Sequence, residues 1–262
     1  MHPANTEVLE QLLRPHGIVP QQPIQARPLS LVFPGLLVAS GRQVIVKVLN
    51  SAVNDVRRNF LRELDVLKSL SGWPGVASLV ESSSEPDFAF HACERVVGKS
   101  FDELATAPRG RDLSFILQCA RELAQWLRDL HRLGVAHRDL SPDHVFVRAG
   151  ETLIVVDFGM AKHTRTLPAV ERQLYEGYDF QAYGMILWEM ICGRPLFPYR
   201  DARLVQVVRA EIALIDQAGL PQRVAKLLRR CLSARSEFSP DGIAANAAFG
   251  SAEQLAAAFG PT

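Results

Sequence analysis

The hydrophobic residues of this chain change their period once, and that change limits the folds open to it. Between residues 29 and 97 they alternate or fall in short apolar runs. From Leu113 onward they return every three or four positions. Leu36–Val38 and Val44–Leu49, on either side of Ser40-Gly41, predict two strands of a hairpin. A helix follows over about Asp55–Leu70, with Val56, Phe60, Leu64, Leu67 and Leu70 on one face and Gly72 as its stop. Val76–Val80 and Phe88–Val97 predict two further strands. Leu117, Ala120, Leu123, Ala124, Leu127 and Leu130 then form a buried helical stripe that closes at Gly134. Short strands at Val145–Val147 and Leu153–Val156 interrupt the helices, which resume at Phe180–Cys192, Arg203–Gln217, Gln222–Leu232 and Ala252–Phe259. Strands first and helices afterwards predict an α+β, two-lobed chain. A small β-rich N-lobe with one helix takes residues 29–97, and a larger, mainly helical C-lobe takes 98–262. A hinge near Glu94–Gly98 joins them. Residues 1–28, polar and carrying Pro3, Pro15 and Pro20, read as an N-terminal extension with a short helix at Glu7–Leu13.

Composition narrows the partners. The 262 residues are 48% hydrophobic and carry a net charge of +1, enough apolar mass for a sizeable core and no excess charge for nucleic acid. Cys93, Cys119, Cys192 and Cys231 form no CxxC pair and sit in apolar surroundings, so free thiols are expected. The first residues lack the pattern of a signal peptide, and no apolar run approaches the roughly 18 residues of a membrane span. A reducing, cytoplasmic setting without a transmembrane segment is the expectation.

The chemistry is concentrated in three stretches. His137-Arg138-Asp139-Leu140-Ser141-Pro142-Asp143-His144 is followed, eighteen residues after Asp139, by Asp157-Phe158-Gly159 behind the apolar run Leu153–Val156. Upstream stand Val44-Ile45-Val46-Lys47 and then Glu63, in Phe60-Leu61-Arg62-Glu63-Leu64. In this order and spacing the stretches resemble the protein-kinase superfamily over about residues 29–235. The resemblance implies a bilobal kinase-like fold, ATP with Mg²⁺ (or Mn²⁺) as cofactors, and a protein substrate or regulatory protein as partner. It implies that Lys47 contacts the α/β-phosphates with Glu63 as its partner. Asp55 and Glu81 remain other acids that could sit near Lys47. Asp139 would orient the acceptor hydroxyl, and Asp157 would hold the metal, a hard cation suited to carboxylate oxygen. The nucleotide would lie against Lys47, Ile45, Glu94, Val96, Phe146 and Asp157, with His144 a second metal-ligand candidate. His137 and Arg138 would support the loop. Asp179 would bond its backbone, at the start of a helix that continues through Gly184, Trp188-Glu189-Met190 and Gly193-Arg194-Pro195-Leu196-Phe197.

Five departures from the family pattern set expectations of their own. In the strands leading to Lys47 only Gly35 and Gly41 occur, so backbone cradling of phosphate is weakened. His144 stands where the family has asparagine, and imidazole suits softer metals than Mg²⁺. Lipopolysaccharide core sugar kinases also carry a histidine there. Ser141 replaces a supporting lysine and removes a positive charge, a type of loss worth about 10²–10³ in rate. Ile45 and Phe146 are bulky where the purine would sit, which either shifts the purine or simply repacks the slot. Only 22 residues separate Asp157 from Asp179, with Pro168-Ala169-Val170-Glu171 as a remnant of the usual segment end. Thr164 and Thr166 in that segment, read as exposed, could take phosphate and pair with Arg138. Three readings follow: a phosphotransferase acting on protein Ser or Thr, a pseudokinase serving as a nucleotide- or protein-binding regulatory module, and a small-molecule or lipopolysaccharide sugar kinase. The Ser236–Gly250 insertion reads as a flexible loop.

Overall fold

The computed structural model describes residues 6–22, 25–26, 29–106, 112–148, 152–194, 215, 218–233, 238–239, 242–243, 249 and 251–259. Its contacts divide the chain into two compact units, Met1–Val97 with Ile154–Met160, and Gly98–Leu153 with Ala161–Thr262. The first is rich in sheet and the second in helix, so the α+β division expected from the sequence is present.

In the first unit, α1 (Thr6–Leu13) leads into β1 (Ile18–Pro20), β2 (Gln25–Ala26), β3 (Ser30–Leu37) and β4 (Arg42–Leu49). Then come α2 (Asn54–Ser69), β5 (Leu79–Ser84) and β6 (Ala89–Glu94). The sheet order is β1-β3-β4-β6-β5, with β2 also paired to β3, and every pair is antiparallel. The β3–β4 hairpin turns at Gly41, whose φ of 64° is the left-handed conformation glycine adopts without cost. Two-residue alternation sorts β4 into faces. Val44, Val46 and Val48 are buried on one, while Ile45 and Lys47 share the other.

The valine face explains the first correction. Leu9 and Leu13 of α1 and Ile18 of β1 belong to the same buried cluster as Phe33, Val44, Val46, Val48, Phe90 and Ala92. Residues 6–20 are therefore a layer of this unit and not an appended extension, and the unit holds two helices where one was expected. The reason is area: one face of the sheet presents a row of valines, and a helix with leucines four apart covers it. Strand position is corrected too. The expected strand at Val76–Val80 begins at Leu79, and Val76 makes only an isolated parallel bridge to Val155 of β10 (Leu153–Val155). Ile154–Met160, assigned from the sequence to the C-lobe, groups with the first unit.

The second unit begins with β7 (Lys99–Ser100), α3 (Phe101–Thr106) and α4 (Leu113–Arg132). Asp112 caps α4, its carboxylate accepting from Ser114 N at 3.0 Å, and Gly134 (φ 76°) closes the turn beyond it. Short strands β8 (Val135–Ala136), β9 (Val145–Val147) and β11 (Lys162–His163) precede α5 (Ala169–Cys192), and α6 (Gln222–Ser233) and α7 (Ala252–Ala257) follow. α5 starts eleven residues before the expected Phe180, so the shortened segment after Gly159 runs almost at once into helix. Tyr183 is buried, and its hydroxyl donates to Ala120 O of α4 at 2.8 Å. At Gly184 a β-carbon would come within 2.6 Å of Cys231 Cβ, so glycine lets α5 and α6 approach closely. The expected helix Arg203–Gln217 except Ile215, the Pro195-Leu196-Phe197 match and most of Ser236–Gly250 lie outside the described residues, and within the last stretch Phe238–Ser239 pairs with Gly242–Ile243. All four cysteines are free. Among the described residues no helix is long and apolar enough to cross a membrane.

Candidate functional site

The site in the first unit grows from β4 and α2. Lys47 points from the non-valine face of β4, half-buried, where a lone ammonium would be costly. Glu63 lies on the buried stripe of α2 with Phe60, Leu64 and Leu67, only 4% exposed. Its oxygens accept from Lys47 Nζ at 2.9 and 2.7 Å. Asp157 Oδ1 stands 3.6 Å from the same Nζ. Asp157 has φ 60°, a left-handed conformation that a short polar side chain tolerates, and its Oδ1 accepts from Gly159 N at 3.2 Å. A β-carbon on residue 159 would lie 3.1 Å from Asp157 Oδ1 and 3.3 Å from Lys47 Nζ, so glycine is what lets the trio close up. The pairing assigned to Glu63 is thus observed. Among the alternatives, Asp55 pairs with Arg58 and Glu81 with His16.

Electrostatics follow from that geometry. Burial alone would lower the pKa of Lys47, but the Glu63 and Asp157 carboxylates outweigh it and hold the ammonium above its ordinary value. Burial would raise Glu63, but His91 and Lys47 together hold it below the ordinary carboxylate value. Two carboxylates sharing one ammonium leave the trio with one surplus negative charge. That surplus is the property that suits a divalent cation at Asp157.

His91 escaped the sequence reading. It lies directly across from Lys47 in the β4–β6 register, is 5% exposed, and places Nε2 3.4 Å from Glu63 Oε1. Its ring leans on Phe60 at 5.3 Å. Only the register of two strands 44 residues apart makes it a neighbour, and nothing local in Phe90-His91-Ala92 signals that. Ile45 shares the Lys47 face of β4 and is half-buried. Glu94 turns its carboxylate to Arg42 at 3.1 Å, and its N–H donates to Ser78 O. Val96 is half-buried beyond the end of β6. Phe146 of β9, in the second unit, pairs with Ser100 of β7.

In the second unit the loop around Asp139 is held from below. Asp179 of α5 is fully buried and accepts from His137 N at 2.9 Å, Arg138 N at 2.6 Å and His131 Nε2 at 2.8 Å. Those donors offset the cost of burying a carboxylate. Arg138 takes φ 69° to bring its N–H to Asp179, and the side chain of Asp139 is left exposed. His144 Nδ1 donates to the Asp139 carbonyl at 2.9 Å, so in the neutral ring Nε2 keeps its lone pair.

The segment after Gly159 also corrects an expectation. Thr164 is fully buried, its N–H bonded to Gly134 O at 2.7 Å, so only Thr166 is exposed to modification. Arg138 stacks over the ring of Tyr175 at 4.5 Å. Lys162 Nζ donates to the Tyr175 hydroxyl at 2.9 Å, and that hydroxyl donates to Glu171.

The model of the protein kinase domain matches residues 29–238. The chain belongs to the protein kinase family. A probable serine/threonine-protein kinase of Clostridium perfringens is 23% identical to this kinase domain over 233 residues, covering 81% of the chain and 34% of the relative. Serine/threonine-protein kinase pkn2 of Myxococcus xanthus is 26% identical over 256 residues, covering 82% and 30%. Serine/threonine-protein kinase cds1 of Schizosaccharomyces pombe reaches 31% over 132 residues, covering 48% and 28%. The chain thus spans about a third of the length of these relatives. The family match begins at residue 29, so α1, whose Leu9 and Leu13 pack with the valines of β4, and β1, which pairs with β3, lie outside it. In β1, β2 and β3 the one glycine is Gly35, so the strands before Lys47 are poor in the glycines that cradle phosphate.

Proposed function

We propose that this kinase domain binds ATP with Mg²⁺ or Mn²⁺ and transfers the γ-phosphate to a Ser or Thr hydroxyl of a protein. The closed Lys47–Glu63–Asp157 trio carries the reading. An ammonium held by one buried carboxylate, with a second carboxylate 3.6 Å away, is costly to maintain without a ligand that uses it. Lys47 would contact the phosphates, Asp157 would hold the metal, and His144, through Nε2, is the second ligand candidate. The metal would supply charge neutralisation on the phosphates. Asp139 would orient the acceptor hydroxyl, on a loop that Asp179 keeps in place. Ile45, Glu94, Val96 and Phe146 are the residues we assign to the nucleotide base. The protein-kinase names of the three relatives support a protein acceptor, and the four free thiols support a reducing, cytoplasmic setting.

The test is metal-dependent ATP consumption and phosphoprotein formation by the wild-type chain and by Asp139→Asn. We expect the variant to keep nucleotide binding and to lose turnover by about 10²-fold or more. Equal turnover by both proteins overturns the role of Asp139. A second reading, a pseudokinase that binds nucleotide without transfer, is favoured by the scarcity of glycine before Lys47, where Gly35 is the one glycine within β1, β2 and β3. Nucleotide binding with no turnover above the Asp139→Asn background would select it.

A further inference from the structure

Among the described residues of the first unit, Glu63 and His91 are the buried ionisable side chains, and the proposed chemistry uses only Glu63. Both ring nitrogens of His91 are shut off from solvent, and among the described residues neither has a hydrogen-bond partner. An apolar side chain fills such a place at lower cost, as Phe60 does against the same ring at 5.3 Å. Nε2 of His91 lies 3.4 Å from Glu63 Oε1, and the residue sits directly opposite Lys47 in the β4–β6 register.

Lys47 Nζ donates to both oxygens of Glu63, at 2.9 Å to Oε1 and 2.7 Å to Oε2. His91 therefore approaches the oxygen in the longer of the two bonds. A neutral imidazole has one N–H donor, and a protonated one has two and a full charge. Charged, His91 pairs with Glu63 and sets a second cation against the Lys47 ammonium. Both effects loosen Lys47 from Glu63. The other groups around the ring do not answer that proton. Ser82, opposite His91 on β5, is uncharged, and Glu81 next to it turns to His16 at 3.7 Å. Cys93, two places along the same face of β6, has its thiol pushed up to about 12 by burial and stays uncharged at neutral pH. Asp157 Oδ1 lies 3.6 Å from Lys47 Nζ.

We propose that His91 is a positioning residue for Lys47, acting through Glu63. Without a proton it leaves the carboxylate to Lys47. With a proton taken from solvent it claims a share of Oε1 and moves the ammonium off the place where phosphate is met. This role rests on the assignment of Lys47 to the nucleotide phosphates and adds a control to it: nucleotide is held more weakly in acid. The coupling is reciprocal, so bound nucleotide drives the proton off His91.

The test is calorimetric titration of the whole chain with ADP and Mg²⁺ at about pH 8 and about pH 5.5, in wild type, His91→Gln and Glu63→Gln. Protonation of ADP itself is common to all three proteins. The ratio of the two affinities should be about tenfold larger in wild type than in His91→Gln, and Glu63→Gln should lose the same excess. His91→Phe, which keeps a ring against Phe60, should match His91→Gln and serves in its place if that variant does not fold. Labelling of Lys47 in the free chain by a small acylating reagent reads the same event without nucleotide. A cation beside Lys47 frees more of its amine, so labelling of wild type relative to His91→Gln should rise about threefold between about pH 8 and about pH 5.5. An affinity excess that persists in His91→Gln and His91→Phe overturns the role of His91. An excess lost there but kept in Glu63→Gln overturns action through Glu63. Absence of ADP binding by wild type at both pH values overturns the nucleotide reading of the site, and the labelling ratio then decides on His91. A labelling ratio that does not change with pH overturns the proposal.

Discussion

Glu63 accepts from Lys47 at 2.7 Å, and His91 Nε2 stands 3.4 Å from its Oε1 without a hydrogen bond. Removing the imidazole as His91→Leu leaves a buried carboxylate with one partner fewer. The expected cost is about 1–3 kcal/mol of stability, read from the shift of the denaturation midpoint, and His91→Gln, which keeps a donor, should recover part of it. A loss of equal size in both variants would mean that packing against Phe60 is all that His91 provides. The pH dependence at this site has a definite sign. Folding lowers the pKa of Glu63, so its contribution is present above its ordinary value of 4.5 and is lost as pH falls through the depressed folded value. Folding raises Lys47, so its contribution is present below 10.5 and is lost as pH rises through the raised folded value. The melting-temperature gap between wild type and Glu63→Gln should therefore be steady near neutral pH and shrink below about pH 4.5. A gap unchanged down to pH 3 would remove Glu63 from the account. Glu63 was legible in the sequence because Phe60-Leu61-Arg62-Glu63-Leu64 resembles the protein-kinase pattern. His91 was not, because its proximity depends on a strand register that no local pattern encodes.

At the scale of elements, the unexpected contributor is α1. Its Leu13 is fully buried against the valine face of β4, so Leu13→Ala should destabilise the chain by about 2–5 kcal/mol, measured by urea denaturation. An effect below about 0.5 kcal/mol would make residues 6–20 the appendage that their polar, proline-containing sequence resembled. The helical stripes of α2 and α4 were plain from spacing alone because each is set by residues three and four apart. The early start of α5 was hidden. Ala169–Tyr178 has a mixed polar composition with Gly177 in it, and the pairing of Tyr175 with Arg138 and Lys162 is a tertiary contact. The same contact bears on the loop, since Arg138 is already packed against an aromatic ring while Thr164 is sealed inside.

For the molecule as a whole, nucleotide is the natural probe. A ligand that binds only the folded chain stabilises it by about 2.7 kcal/mol at a hundredfold excess over its Kd. ATP with Mg²⁺ or Mn²⁺ should raise the melting temperature, and Asp157→Asn should abolish the metal-dependent part of that rise while leaving the free protein folded. A metal-dependent rise that survives in Asp157→Asn would move the metal elsewhere. By itself the sequence determined the α+β order of elements, the strand carrying Lys47, the helix carrying Glu63, and the two aspartate motifs. The order of elements is written in short-range periodicity, while Lys47, Glu63 and the two aspartate motifs were legible through their resemblance to the protein-kinase pattern. Only the tertiary structure decided that α1 and β1 complete the first unit, that His91 stands beside Glu63, and that Thr164 is sealed in. Each of those facts depends on which distant surfaces bury each other, a choice made by the packing of the whole chain and not by any stretch of it.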